Sequence, residues 1–249
     1  MSNLKFGRLA RVDDPKGPNL MMSNYVKKVP DPPKEVDNLA RVYGRLGIND
    51  PKVLFPILGN DQYGDCTFAA LAHYITLANG LVGVHRILSE KDVIAAYLKF
   101  TGGQDSGANE LSVMKKWNKK GFFGEKIPFY IDIDPRDHKQ VMQTIWLFGA
   151  IYIGFNVPQN CQQQFEQRVP WTSGPLLNEG HAVLTCNYDA LMNTKSLTWG
   201  NDQDADVSFW DGCVDECWLA VPPEAQQPEY LHGFAWADLI ADAKAIKKR

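Results

Sequence analysis

No stretch of the chain approaches the roughly 18 to 20 consecutive apolar residues that cross a bilayer, and the first residues, MSNLKFGRLARVDDPKG, lack the apolar core of a signal peptide. Both absences predict a protein made and used in a cytosol, with no membrane partner. Cysteine is scarce and odd in number. Cys66, Cys161, Cys186, Cys213 and Cys217 form no paired framework, which excludes a disulfide-stapled secreted scaffold. Cys213 and Cys217 lie four apart without a nearby histidine or CxxC pair, so no zinc site is expected. The glycine-rich pieces lack GxGxxG and GxxxxGK in a strand-to-helix setting, and no nucleotide, flavin or other cofactor is expected. Repeats and low-complexity tracts are also missing. So is charge of one sign: 26 Lys/Arg against 29 Asp/Glu leave a net charge of −3, too weak for a nucleic-acid partner.

What is present is an ordinary globular composition, 45 % hydrophobic and 22 % charged over 249 residues, which is read as one domain, residues 38–249, behind an N-terminal arm. In the arm, residues 1–37, Pro15, Pro18, Pro30, Pro32 and Pro33 fall among scattered charges with no helical or alternating period. Such a segment gains order only by lying on its own body or on a neighbour. Residues 1–45 hold nine basic and five acidic side chains against seventeen and twenty-four in the remainder. A slightly basic arm on an acidic body suits self-association or an acidic protein partner.

From Val36 to Leu58 short apolar groups alternate with turns. Ser89 is placed to cap a helix through Val93, Ile94, Tyr97 and Leu98, and Asn109 to precede another through Leu111, Met114 and Trp117 that stops at Gly121. Asp134 to Phe148 reads as a third helix, with Asp134 as N-cap and Pro135 in the first helical position. Ala150 to Val157 has the β-branched and aromatic content of a buried strand. WTSGPLLNEGHAVLTCNYD and TKSLTWGND flank the turn ALMN as a hairpin, and a last helix is expected over about 234–247.

One stretch carries chemistry. In LGNDQYGDCTFAALAHYITLAN, residues 58–79, a turn-rich segment delivers Cys66 to the first position of a run with Phe68, Leu71, Ala72 and Ile75 at helical spacing. A thiol at a helix N-terminus meets unpaired N–H groups and the positive end of the dipole, which favours the nucleophilic thiolate near neutral pH. An isolated cysteine is more often a small buried apolar residue, so the reading depends on a base. His73 lies two turns along the same helix, at least ~10 Å away. His85 and His138 sit in polar contexts, and His232 flanks the last helix. His181, following Gly180 at the start of a strand, would project its ring from a sheet edge where a cleft can form.

Gly64-Asp65-Cys66, then GHAV at 180–183 and Leu197-Thr198-Trp199-Gly200, resemble the Gly-Ser-Cys, Asp-His-Ala-Val and Asn-Ser-Trp-Gly of the papain-like cysteine peptidases, over about Leu58 to Val221. The whole pattern is closer still to papain-like proteins of unknown role encoded by bacteriophages and prophages. The resemblance implies an α+β fold, with a helical left lobe over about 58–148 that carries the cysteine. An antiparallel right lobe over about 149–221 carries the histidine. It also implies a thiol acyl hydrolase acting on a peptide or amide substrate. The alternative it carries is a non-catalytic virion protein, capsid- or tail-associated, made in the host cytoplasm.

Two positions depart from that family's pattern. Its oxyanion glutamine precedes the cysteine by six residues, where this chain has Asn60; Gln62 has the right chemistry but is two residues too close. Its histidine-orienting asparagine falls on Leu197, which cannot accept a hydrogen bond. Counting the hairpin about Leu191-Met192 instead places Asn201 or Asp202 opposite His181, with Asn201 preferred; a Cys-His dyad without either is also viable.

Overall fold

A computed structural model describes residues 4–12 and 31–226. The expected C-terminal helix and most of the arm lie outside the described residues. The fold is α+β, with eight helices and a seven-stranded antiparallel sheet among the described residues.

Its axis is helix α3 (Cys66–Leu81), all sixteen of whose residues are buried. The apolar spacing of the sequence suggests one buried face, but a helix surrounded on all sides must satisfy its polar groups internally. It does so in part: His73 Nε2 meets the Pro56 carbonyl at 2.8 Å, and Asn79 Nδ2 donates to Ile75 O at 2.9 Å and to Glu224 Oε1 at 3.1 Å, while Thr67 Oγ1 and His73 Nδ1 are buried without a hydrogen-bond partner. Helix α1 (Asn38–Leu46) approaches α3 closely because Gly80 leaves room for Val42, which a Cβ would meet at 2.6 Å. A short α2 (Pro51–Leu54) follows it. Helices α4 (Glu90–Phe100) and α5 (Glu110–Lys119) are capped by Ser89 and Asn109 as the sequence predicts. Phe68 of α3 meets Tyr97, Phe100 and Phe122 at ring separations of 5.8, 5.4 and 5.1 Å, an aromatic core for the helical side.

Helix α6 is shorter than expected, His138–Phe148. Asp134 holds a turn instead, accepting from Arg136 N at 2.9 Å, and Asp137 caps the helix by accepting from Gln140 N at 3.0 Å. Either aspartate can close a local ring onto the backbone, and the first one does so before helical geometry begins.

The sheet runs β2-β7-β3-β4-β5-β6, with β1 (Val36–Asp37) added to β4. Its strands are β2 (Tyr130–Asp132), β3 (Ile151–Pro158), β4 (Leu176–Tyr188), β5 (Thr194–Thr198), β6 (Asn201–Ala205) and β7 (Val214–Ala220). Helix α7 (Cys161–Gln167) follows β3, and α8 (Val207–Cys213) packs on β3 and β7. TKSLTWGND, expected as one strand, is two: Trp199 and Gly200 turn with φ of 45° and 73°, a left-handed pair that reverses the chain.

Two bulges set the chemistry that follows. Between β4 and β5 the register shifts at Cys186, so that Asn187 faces Lys195 but Thr185 faces Ser196. Between β3 and β7 it shifts at Asp215, with Gly154 opposite Glu216 and Phe155 opposite Val214.

Candidate active site

Cys66 is the first residue of α3, where its N–H has no intrahelical carbonyl to meet. Strand β4 passes this helix end and carries His181, so that the sulfur faces the backbone N–H of Ala182, the residue after the histidine. The His181 ring stacks on Trp199 at 4.5 Å and meets Phe155 edge-on at 5.5 Å. Its Nε2 lies 2.9 Å from Thr198 Oγ1, while Nδ1 is buried without a hydrogen-bond partner. With Nε2 donating to the threonine oxygen, Nδ1 carries the lone pair that can take a thiol proton.

Thr198, rather than Asn201, therefore holds the imidazole. The bulge at Cys186 moves the pairing by one residue, and the Trp199-Gly200 turn ends β5 before position 201 can face β4. Asn201 instead pairs with Thr198 across that turn, and Asp202 pairs with Leu197 and binds Lys195 Nζ at 3.1 Å. Leu197 is core, 1 % exposed. Asn60 is buried six residues before the thiol, but its amide donates to the Tyr63 carbonyl at 3.2 Å; the Gln62 side chain is exposed.

Residues 4–11 of the arm lie along this cleft. Lys5 N donates to Asn60 O at 3.0 Å, Arg8 N to Gly180 O at 3.1 Å and Leu9 N to Ala108 O at 3.0 Å, while Ala108 N donates to Gly7 O at 2.8 Å. Arg8 thus pairs antiparallel with Gly180 and parallel with Ala108. Phe6 covers the His181 ring, edge-on at 5.5 Å, and the Gly7 N–H faces the Cys66 sulfur. The fit leaves no room for a side chain at position 7: a Cβ there would lie 1.7 Å from the Gly64 carbonyl oxygen.

This cover overturns one expectation. Burial pushes the Cys66 thiol up to about 12, with the Asp65 charge adding to the rise and the Ala182 and Gly7 N–H groups opposing it. Burial likewise pushes His181 down to about 3. The covered pair is a neutral thiol and a neutral imidazole. A helix terminus favours an anion by about 0.3–2 kcal/mol, whereas stripping water from a charge costs several kcal/mol, so burial wins. The neighbouring Asp65 carboxyl is raised to about 8 by burial, with the nearby Asn60 amide the largest opposing influence.

The other candidates lie elsewhere. His73 is held by Pro56 and lowered to about 4 by burial, and His138 meets Asp211 at 2.7 Å near the surface. A cavity of about 1070 Å³ opens along β1, β5 and β6 and includes neither Cys66 nor His181. Among the described residues no three His, Cys, Asp or Glu side chains are placed to hold a metal, and no helix is long and apolar enough to cross a membrane.

Sequence reasoning missed Thr198, Phe6 and Arg8. Thr198 stood one place from Leu197, where the family's asparagine falls, and three from the preferred Asn201, and the FGR of residues 6–8 carried a visible signal only in being an aromatic and a cation on either side of a glycine.

No protein-family model matches the chain and no curated protein is similar to it. Among solved structures it is similar to xylellain, a cysteine protease from Xylella fastidiosa, with a TM-score of 0.64 and 16 % identity over 89 % of this chain and 97 % of that one. It is also similar to digestive procathepsin L 3 of the Tenebrio molitor larval midgut, with a TM-score of 0.52 and 11 % identity over 88 % and 76 %. The chain has the fold of the papain-like cysteine proteases.

Proposed function

We propose that the protein is a papain-like thiol peptidase or amidase held latent by its own residues 4–11. The observation that carries the reading is the disposition of His181: Nε2 is occupied by Thr198 and Nδ1 is left unpaired on the strand that passes the Cys66 sulfur. Once the cover leaves, His181 Nδ1 accepts the thiol proton and the thiolate forms a C–S bond to the substrate carbonyl. The Cys66 N–H donates to the oxyanion; the Asn60 amide gives one N–H to the Tyr63 carbonyl and joins through its second. The imidazolium returns the proton to the leaving amine as the C–N bond breaks. Water, deprotonated by His181, then splits the thioester and restores the thiol.

The covering segment is suited to inhibit rather than to react, because it turns an N–H of Gly7, not a carbonyl carbon, towards the sulfur. The test is hydrolysis of a peptide amide by the full chain carrying Gly7→Ala, a change the Gly64 carbonyl cannot accommodate. Activity that disappears with Cys66→Ala supports the reading; activity that survives Cys66→Ala refutes it.

The sealed, neutral state of the pair favours a second reading, a non-catalytic phage virion protein on this fold. The phage or prophage source rests on the LGNDQYGDC, GHAV and TWG pattern. That reading requires stoichiometric copies in purified particles, and their absence removes it.

A further inference from the structure

The side chain that residues 4–11 bury most deeply lies beside the thiol rather than on it. The Arg8 side chain is 1 % exposed. Its Nη2 is 2.7 Å from Glu216 Oε2 and 2.8 Å from Asp215 Oδ1, and its Nε is 3.5 Å from Glu110 Oε1. The Glu110 and Glu216 side chains are fully buried.

This pocket is built by three separate devices. Glu110 occupies the first position of α5, where burial and the neighbouring Glu216 push its carboxyl well above the usual range and the Arg8 guanidinium opposes that rise. On a regular strand Asp215 and Glu216 would point to opposite faces, and the β7 bulge lets both reach one guanidinium nitrogen. Gly154 supplies the wall: a Cβ there would lie 2.2 Å from Arg8 Nε and 2.5 Å from Glu110 Oε1. Trp218 Nε1 donates to Glu216 Oε1 at 2.7 Å and Asn156 Nδ2 to Asp215 Oδ2 at 3.2 Å, which fixes two of the carboxylates from behind.

Buried carboxylates without a cation are strongly disfavoured, and the chemistry at Cys66 makes no use of these. The pocket is reached from residue 8, whose N–H bonds Gly180 and which follows the glycine at the sulfur. A substrate strand on the same edges brings one side chain to the same place.

We propose that Glu110, Asp215 and Glu216 form the specificity pocket of the cleft and select peptides with an arginine side chain within two residues of the scissile bond, a proposal that rests on the thiol peptidase reading. Arginine fits better than lysine, because Nε reaches Glu110 while Nη2 reaches Asp215 and Glu216, and the one nitrogen of an ammonium cannot occupy both positions.

The test uses the full chain carrying Arg8→Ala, which vacates the pocket, and the octapeptide LKFGRLAR of residues 4–11 with arginine, lysine or norleucine in its fifth position. Binding is measured by calorimetry. The arginine peptide is expected to bind on the order of 100-fold more tightly than the norleucine peptide and about 10-fold more tightly than the lysine peptide. Adding Glu216→Gln collapses the first ratio to within about threefold. Equal affinities for the three peptides overturn the proposal. Should circular dichroism show that Arg8→Ala does not fold, Arg8→Gln serves in its place. Peptidyl chloromethyl ketones bearing the same side chains, whose chloride the sulfur displaces, then report on the thiol. If Cys66 stays unlabelled while the peptide ranking holds, the nucleophile is refuted and the pocket stands; rapid labelling without a ranking refutes the pocket alone.

Discussion

Gly7→Ala adds one methyl group at the point where the covering segment crosses the turn before Cys66. The added Cβ falls 1.7 Å from the Gly64 carbonyl oxygen and 2.5 Å from Gly64 Cα, contacts between two backbones with no flexible side chain to yield. Overpacking of this kind costs about 1–3 kcal/mol where a core can relax. Here relaxation means lifting residues 4–11, so the upper figure applies to the covered state and not to the open one. A shift of about 3 kcal/mol raises the open population about 100-fold. The assay is the rate of Cys66 carboxamidomethylation by iodoacetamide at neutral pH, followed by mass spectrometry. If opening limits reaction in the wild type, the variant should react on the order of 100-fold faster, with its unfolding midpoint little changed. A variant labelled at the wild-type rate, with its fold intact, would refute the claim that residues 4–11 gate the thiol.

Three further outcomes follow from the same contacts. Thr198→Val in an uncovered chain should lower kcat about 10-fold to 100-fold with KM little changed, because it frees His181 to rotate; Asn201→Ala should leave kcat within about threefold. His181, lowered to about 3 under the cover, stabilises the covered state fully above its ordinary value of 6.5, and that contribution fades as pH falls towards 3. Amide exchange within residues 4–11, corrected for its intrinsic pH dependence, should therefore show less protection at pH 4.5 than at pH 7.5. Asp65, raised to about 8 from 3.8, stabilises the fold fully below 3.8 and loses that effect as pH rises through 8; Asp65→Asn should flatten the pH dependence of the urea midpoint in that window and raise it by the equivalent of a few kcal/mol at pH 8.

The helix start at Cys66 and the strand that carries His181 were legible in the sequence, the first from the turn residues before it and the second from its β-branched and apolar run. A turn of Gly59, Asn60 and Gly64 leads into the Cys66 helix, whereas His181 lies inside β4, buried and between β3 and β5, and not at the strand start on a sheet edge that the sequence suggests. The caps Ser89 and Asn109 were legible too. The Thr198 contact to His181 was not, because a bulge at Cys186 and a two-residue turn at Trp199 shift the register, and neither leaves a periodic trace. Nor was the cover. Prolines marked the arm as extended, but only the tertiary fit of Gly7 against Gly64, and of Arg8 against three distant carboxylates, decides where residues 4–11 lie. The visible anomaly was the acidic pair Asp215-Glu216 in a strand whose other residues are apolar, with Glu216 buried for a partner 208 residues away.

The central claim is that Cys66 and His181 form a nucleophilic pair once uncovered. Its most direct test is the pH dependence of Cys66 alkylation in the full chain carrying Gly7→Ala, with and without His181→Ala. The thiol is expected to ionise well below the ordinary cysteine value, and to return towards that value when the histidine is removed. A thiol that ionises at or above the ordinary value, indifferent to His181, would contradict it.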